Sequence, residues 1–327
     1  MSGMQTVCQG ILVFYDRSRM SIWTLLALPA LLAAGWLGLR WLRRELTPQR
    51  QAHPVPSPAD AGIQWVSIPT ANGKQLAAQW LPAGEGRQPQ GMAILMHGWG
   101  GNGSQLRPAA DALQHQGWSV LLPDARSHGR SDADTFSSLP RFAEDLDACL
   151  DWLHRQRIPP TGDSGHDQVV LLGHSLGAAA ALLCASHRSD LSAVVSVSAF
   201  AHPEQVMRRW LAEYRIPFWP IGWLVNRYIE SVIGHRFDDI APVHSIARVR
   251  APVLLVHGRA DDVVPLACAE QLKAAASQAD LLVVSGRHDH FVDEAGLNDQ
   301  VLAWLAEHRH PERLRMDSDQ QEWHMSR

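Results

Sequence analysis

Ser175 is the residue in this chain whose surroundings most clearly suggest chemistry. It stands in the sequence Gly173-His174-Ser175-Leu176-Gly177, between the apolar run QVVLL and the alanine-rich run AAAALLCA. A serine on a sharp strand-to-helix turn projects into a cleft, and the residues two positions away on either side must be small because strand and helix pass close together. Gly173 and Gly177 meet that requirement. The pattern predicts a nucleophilic serine, with the amide of Leu176 at a helix N-terminus that favours an anion.

A serine hydroxyl needs a general base, and that base needs an acid to orient it. In this type of sheet the expected chain order is Ser, Asp, His. The segment HGRADDVVP offers Asp261 and Asp262, and the later segment SGRHDHF offers His288 and His290. The spacing H-G-x-x-D-x-x-V-P favours Asp261 as the acid, and the position two residues past Gly286 favours His288 as the base. Asp262 and His290 remain alternatives.

A serine hydrolase also needs two N–H donors that converge on the developing oxyanion. Leu176 would supply one of them. The second is predicted in the glycine-rich loop Trp99-Gly100-Gly101-Asn102, which follows the apolar run MAILMHG, and Trp99 is the favoured donor. The same loop does not indicate a phosphate-binding loop, because no Gly-Lys-Ser/Thr closes it.

The elements around these residues indicate an α/β protein with a mostly parallel, doubly wound sheet. An opening hairpin is predicted at 63–70 and 74–82, and near-continuous apolar strands are predicted at 92–98, 119–125, 168–175, 193–200, 253–258 and 281–286. Helical periodicity is predicted at 104–116, 138–156, 177–187, 266–277 and 295–309. Such alternation implies strands covered by helices on both faces. Active sites in open parallel sheets lie at the carboxyl ends of the strands, where the candidate residues fall.

The connection at 201–247 is too long for a simple crossover. It carries an aromatic set: Trp210, Tyr214, Phe218, Trp219, Trp223 and Tyr228. Long loops inside compact domains usually have a function or a structure of their own. We predict a helical lid over the carboxyl edge of the sheet.

The N-terminal region differs from the rest of the chain. After an initial segment at 1–21, residues 22–42 begin with an uncharged apolar run of about the length that crosses a bilayer. We expect a single-pass transmembrane anchor there and, from the arginines that follow the run, a catalytic domain on the cytoplasmic side. A proline-rich linker at 43–62 then leads to a hydrolase domain at 63–310 and a polar tail at 311–327.

Composition narrows the range of functions. The 29 basic and 33 acidic residues give a net charge of −4, which does not favour nucleic acid as a partner. The four cysteines have no CxxC spacing, so neither a disulfide framework nor a zinc site is predicted. No cofactor and no metal are expected.

Together these motifs resemble those of the α/β-hydrolase superfamily over residues 90–305. The resemblance includes Gly173–Gly177, His257–Pro265, Gly286–His288 and the stretch DARSHGRS at 124–131. It is closer to the serine aminopeptidase and acylglycerol-lipase-like branch, and the SGRHDHF end is similar to membrane-tethered depalmitoylase-like hydrolases. In this family the DxRxHGxS stretch supports the oxyanion loop, which implies that Arg126 and His128 are not catalytic.

The sequence therefore predicts a membrane-anchored serine hydrolase that cleaves carboxylic esters, including acyl esters or thioesters, through Ser175, His288 and Asp261. One alternative is a peptidase that removes N-terminal residues, in which Glu204 or Glu213 would clamp the free amine. The other is a catalytically silent hydrolase-fold binding protein, which would lack the nucleophile, the acid or the base.

Overall fold

The computed structural model describes residues 22–55, 63–84, 86, 89–156 and 168–308, with side chains from residue 29 onward. These residues fall into two compact units, one ending at Thr47 and the other beginning at Pro48. The predicted segments 1–21 and 311–327 lie outside the described residues.

The first unit contains helix α1, Ile22–Glu45. Its last six positions include four charged residues: Arg40, Arg43, Arg44 and Glu45. Within the described part of the chain, no helix combines the length and the apolar character needed to cross a membrane. The transmembrane anchor expected at 22–42 is therefore not supported, and the cytoplasmic placement stays a prediction.

The second unit is built on one sheet, which has eight strands in the described residues. The strands are β1 (Gln64–Thr70), β2 (Lys74–Leu81), β3 (Gly91–Met96), β4 (Trp118–Pro123), β5 (Val169–His174), β6 (Ala193–Val197), β7 (Val253–Gly258) and β8 (Asp280–Val284). Their order is β1-β2-β4-β3-β5-β6-β7-β8. Strands β3 to β8 pair in parallel, and β1 and β2 form the predicted hairpin, with β2 antiparallel to β4. The prediction of a mostly parallel sheet is confirmed.

Helices cover both faces of this sheet. They are α2 (Arg107–His115), α3 (Leu139–Gln156), α4 (Leu176–Ala185), α5 (Pro203–Glu213), α6 (Trp223–Ile233), α7 (Phe237–Ile240), α8 (Pro242–Ile246), α9 (Leu266–Ala275) and α10 (Glu294–His308). One core joins the sheet to α3, α4, α8 and α9, and the other joins it to α2 and α10. Neighbouring residues of a strand enter opposite cores, as Ile94 and Leu95 do, which explains why the strands read as continuous apolar runs.

The predicted lid region is helical. Between β6 and β7 it contains α5, a π-helical turn at Phe218–Gly222, and α6 to α8. Arg209 of α5 donates to the backbone oxygen of Asp262 at 2.7 Å, which ties the insertion to the loop after β7. Trp219, Ile221, Trp223 and Leu224 are exposed on its surface. The insertion therefore lies beside the carboxyl end of β7, where the predicted acid is found.

Candidate active site

Ser175 occupies a sharp turn between β5 and α4. Its backbone has φ 54° and ψ −117°, and a positive φ is uncommon for a residue other than glycine. The amide of Ser175 donates to the carbonyl of Val197 at 2.8 Å, which fixes the turn to the end of β6. Strain of this kind persists only where the surrounding structure enforces it, and it concentrates at functional positions.

The two flanking glycines are required by close backbone contacts. A Cβ at Gly173 would lie 2.3 Å from the carbonyl oxygen of Gly177. A Cβ at Gly177 would lie 2.3 Å from the oxygen of Met96 and 2.4 Å from that of His97, at the end of β3. The first turn of α4 therefore packs directly on two neighbouring strands, and any side chain at these positions would push it away.

His288 connects the serine to the acid. Its Nε2 lies 2.9 Å from Ser175 Oγ, and its Nδ1 lies 2.8 Å from Asp261 Oδ2. The carboxylate can only accept, so Nδ1 carries the proton, and Nε2 is free to accept from the hydroxyl. A proton can thus pass from Oγ to Nε2 while Asp261 stabilises the resulting imidazolium.

Asp261 is held by its own turn. Its Oδ1 accepts from the amides of Val263 and Val264 at 2.9 Å and 2.7 Å, and its side chain is fully buried. Burial acts to raise the pKa of this carboxyl, but the hydrogen bonds from His288 and the two amides outweigh it and keep the pKa below the usual value. The group is therefore an anion at neutral pH, which is the state that orients an imidazole.

The structure brings together Ser175, His288 and Asp261 and leaves the two alternatives at the surface. Asp262 is 55 % exposed and pairs with Arg287. His290 is exposed, and its carbonyl accepts from the amide of Arg287 at 2.8 Å. Neither residue is hydrogen-bonded to the serine or to the other two members of the set.

The predicted oxyanion donors border the serine. Leu176 is the first residue of α4. Gly98 lies so close to Ser175 that a Cβ built there would come within 3.2 Å of the serine Cβ, and Trp99 is the next residue. The Trp99 ring packs against His128 at 5.9 Å and is 43 % exposed. The roles of the Leu176 and Trp99 amides stay predictions.

His174 is a neighbour of the base that sequence analysis did not identify. Its Nε2 lies 2.9 Å from the backbone oxygen of His288, and the two rings are 5.1 Å apart. Burial lowers the pKa of His174, so the imidazole is neutral and donates from Nε2. The feature of the sequence that could have identified His174 is its position directly before Ser175, at the end of the strand.

The DxRxHGxS stretch is structural, as the resemblance implied. Arg126 is buried, and its guanidinium nitrogens lie 2.6 Å from a carboxylate oxygen of Asp145, 2.6 Å from one of Glu144 and 3.2 Å from one of Asp134. His128 donates from Nδ1 to the backbone oxygen of Arg126 at 2.9 Å. None of these contacts involves Ser175, His288 or Asp261.

Two clusters in the described residues bring three metal-binding side chains within 4.8 Å. They are His174, His288 and Asp289, and Asp147, Cys184 and His187. In the first, both ring nitrogens of His288 are already used by Ser175 and Asp261. In the second, Arg188 lies 3.5 Å from Asp147, and burial raises the pKa of the Cys184 thiol well above its usual value. We assign no metal to either cluster.

Comparison with known proteins agrees with this architecture. The family model for serine aminopeptidase, S33, matches residues 87–234, and a model described as TAP-like protein matches residues 234–317. The chain is similar to the uncharacterized protein MT2364 of Mycobacterium tuberculosis, with 32% identity over 290 residues, covering 86% of this chain and 94% of that protein. The fold is similar to that of the Pyrococcus furiosus esterase Pf2001, with a TM-score of 0.63 at 20% identity, covering 80% of this chain and 99% of that one. The chain belongs to the α/β-hydrolase superfamily.

Proposed function

We infer that the protein is a serine hydrolase that cleaves carboxylic esters, thioesters included, through an acyl-enzyme on Ser175. The observation that carries this is the unbroken hydrogen-bonded chain from Ser175 Oγ through His288 to the buried Asp261 carboxylate, with bonds of 2.9 Å and 2.8 Å. A catalytically silent binding protein would have no need of this arrangement.

In the proposed reaction, Ser175 Oγ attacks the carbonyl carbon of the ester as its proton moves to His288 Nε2. The amides of Leu176 and Trp99 hold the negative oxygen of the tetrahedral intermediate. The bond to the leaving oxygen or sulfur then breaks, and Nε2 returns the proton to that atom. Water attacks the acyl-serine, gives one proton to Nε2, and releases the carboxylic acid as Oγ regains its proton.

Activity-based labelling tests the proposal. A fluorophosphonate probe should label the full-length protein, and p-nitrophenyl butyrate should be hydrolysed. Ser175→Ala should abolish labelling, and His288→Gln should lower kcat by about 10⁴-fold or more, because the triad acts as a unit. His290→Gln is the matched control, since His290 is exposed, and it should stay within about twofold of wild type. Labelling that survives Ser175→Ala would refute the assignment.

A second candidate, a serine aminopeptidase, is favoured by the description of the matching family model. It would require an acidic clamp for a free amine. Glu204, one of the two candidate residues, already forms an ion pair with Arg208 at 2.7 Å. Its carboxylate is therefore less available to bind the free amine of a peptide. We therefore expect faster turnover of p-nitrophenyl esters than of aminoacyl p-nitroanilides. Anilide turnover without ester turnover would favour the peptidase.

A further inference from the structure

Residues 49–53, here called the strap, lie between the first unit's helix and β1. The composition of 43–62 predicted a linker, yet the strap is hydrogen-bonded to the domain. Asn102 donates from Nδ2 to the carbonyl of Gln51 at 3.1 Å, and Gln105 donates to the Gln51 side chain at 3.1 Å. Arg50 donates to the carbonyl of Gly129 at 3.4 Å. The strap thus joins the loop after β3 to the loop after β4.

His53 is the buried end of the strap, with a side chain only 6 % exposed. Its Nδ1 lies 3.2 Å from Gln79 Nε2, and its Nε2 lies 2.7 Å from Asp124 Oδ2. The Gln79 amide nitrogen can only donate and the carboxylate can only accept, so Nδ1 is the acceptor and Nε2 carries the proton. The ring also packs edge-on against Trp65 at 4.9 Å. Both nitrogens and the ring face are therefore fixed.

Asp124 connects His53 to the loop after β3. The carboxyl is fully buried at the end of β4, and its Oδ1 accepts from the amide of Gly103 at 2.8 Å. Its Oδ2 accepts from the amide of Arg130 at 2.7 Å as well as from His53. The carboxyl thus joins the strap, the loop after β3 and the loop after β4 through three hydrogen bonds.

The loop at 98–103, here called the oxyanion loop, contains the predicted donor Trp99. It begins at Gly98 beside Ser175 and ends at Gly103 on Asp124. Between these ends it includes Gly100, with φ 74°, and Gly101, so the loop itself adds little rigidity. An oxyanion donor stabilises the transition state only when it is held in place beforehand. The hydrogen bonds at Asn102 and Gly103 therefore hold the end of the loop that follows Trp99.

We propose that the strap sets the position of the oxyanion loop and that His53 is a positioning residue, acting through Asp124 on the Trp99 amide. The inference rests on the proposed function, since it assigns the strap to the same reaction. It places a determinant of kcat in a segment that precedes the region matched by the family models.

Two substitutions at position 53 distinguish the effect of losing the hydrogen bond from Nε2 to Asp124 from the effect of losing the imidazole ring. His53→Gln places an amide N–H near the former Nε2 and should keep the bond to Asp124. His53→Asn places its amide near the former Nδ1 and should lose that bond. Gln49→Ala is the matched control within the strap, because Gln49 is exposed and the substitution leaves the strap backbone and its bonds to Asn102 and Gln105 in place.

Two measurements on the full chain test the proposal. In His53→Asn, kcat for p-nitrophenyl butyrate should fall about tenfold or more, with KM within about twofold, because the lost interaction acts in the transition state. Hydrogen exchange should become faster in peptides covering 98–106 and stay unchanged in α9. His53→Gln and Gln49→Ala should stay within about threefold of wild type in kcat.

Equal losses of kcat in His53→Gln and His53→Asn, or a wild-type kcat in His53→Asn, would overturn the proposal. If His53→Asn does not fold, Asn102→Asp tests the strap through its other contact with the domain. This substitution removes the donor to the Gln51 carbonyl and keeps the acceptor for the amide of Ser104. It should show the same fall in kcat, and a wild-type kcat would count against the strap. If the wild-type protein hydrolyses no ester, the proposed function fails, and exchange at 98–106 alone decides whether the strap holds the loop.

Discussion

Replacing Gly177 by alanine tests the close approach of α4 to the sheet. The new Cβ would lie 2.3 Å from the oxygen of Met96 and 2.4 Å from that of His97. Ordinary C···O contacts are about 3.3 Å or longer, so the helix start must move by about 1 Å. Strand β3 cannot give way easily, because it is paired with both β4 and β5. The displacement therefore falls on α4 and on Ser175, which precedes it.

Two effects of Gly177→Ala follow from that displacement. Overpacking should lower the free energy of unfolding by about 1–3 kcal/mol. A shift of about 1 Å at Ser175 should break its 2.9 Å bond to His288 and lower kcat by about 10²-fold. Urea unfolding measures the first effect, and turnover of p-nitrophenyl butyrate with the rate of fluorophosphonate labelling measures the second.

Gly38→Ala is the control for this substitution. Gly38 lies inside α1, and a Cβ there would meet no atom within 4 Å. Alanine should therefore be neutral or slightly stabilising at this position, because it has the higher helix propensity. If Gly177→Ala kept wild-type turnover and the wild-type unfolding midpoint, the argument that the two glycines are required by backbone contact would be wrong.

Three further predictions concern other charged and titratable groups. Burial and a neighbouring imidazole lower the pKa of His97 to about 4, so between about pH 6.5 and 4 the unfolded state binds the extra proton. Lowering the pH through that window should reduce the free energy of unfolding of wild type by up to about 3 kcal/mol more than that of His97→Asn. If the two free energies fell in parallel with pH, this expectation would be wrong. Arg126→Gln leaves buried Asp145 unpaired and should cost about 3–5 kcal/mol in urea unfolding. Arg141 pairs with Glu144, whose side chain is 41 % exposed, so Arg141→Gln should cost about 1 kcal/mol or less. Equal costs for Arg126→Gln and Arg141→Gln would contradict this expectation. Asp261→Asn should lower kcat by about 10⁴-fold, whereas Asp262→Asn should stay within about twofold, and the reverse order would exchange their roles.

The central part of the fold follows from sequence patterns that depend on local physics. Strand β5 is a continuous apolar run because both of its faces are buried, and α4 is rich in alanine because it packs closely on the sheet. Gly173 and Gly177 mark the turn between them, since no other residue fits beside the backbones that pass there. The contact between Gly173 and Gly177 acts within a few residues of the chain, so the sequence predicts the turn. The contact of Gly177 with the end of β3 forms only when the sheet assembles.

The choice between candidates at the site depends on loop geometry that the sequence does not specify. Asp261 and Asp262 are adjacent, and His288 and His290 are two residues apart. The turn after β7 buries Asp261 against the amides of Val263 and Val264, and Asp262 points outward to Arg287. Spacing favours one neighbour without excluding the other, because the direction of each side chain depends on the backbone of an irregular loop.

What the sequence by itself determined is the class of fold, the turn at Ser175 and the small set of acids and histidines from which a hydrolase site could be built. Only the tertiary structure decided that His288 lies between Ser175 and Asp261, that His174 contacts the backbone of His288, and that the strap is bound through His53 to Asp124. Position 53 and position 124 are 71 residues apart, and their contact depends on how the loops close over the sheet. The physical reason is that hydrophobic periodicity and the spacing within a turn motif involve residues near one another in the chain, whereas hydrogen-bond partners between distant loops are fixed only when the whole domain packs.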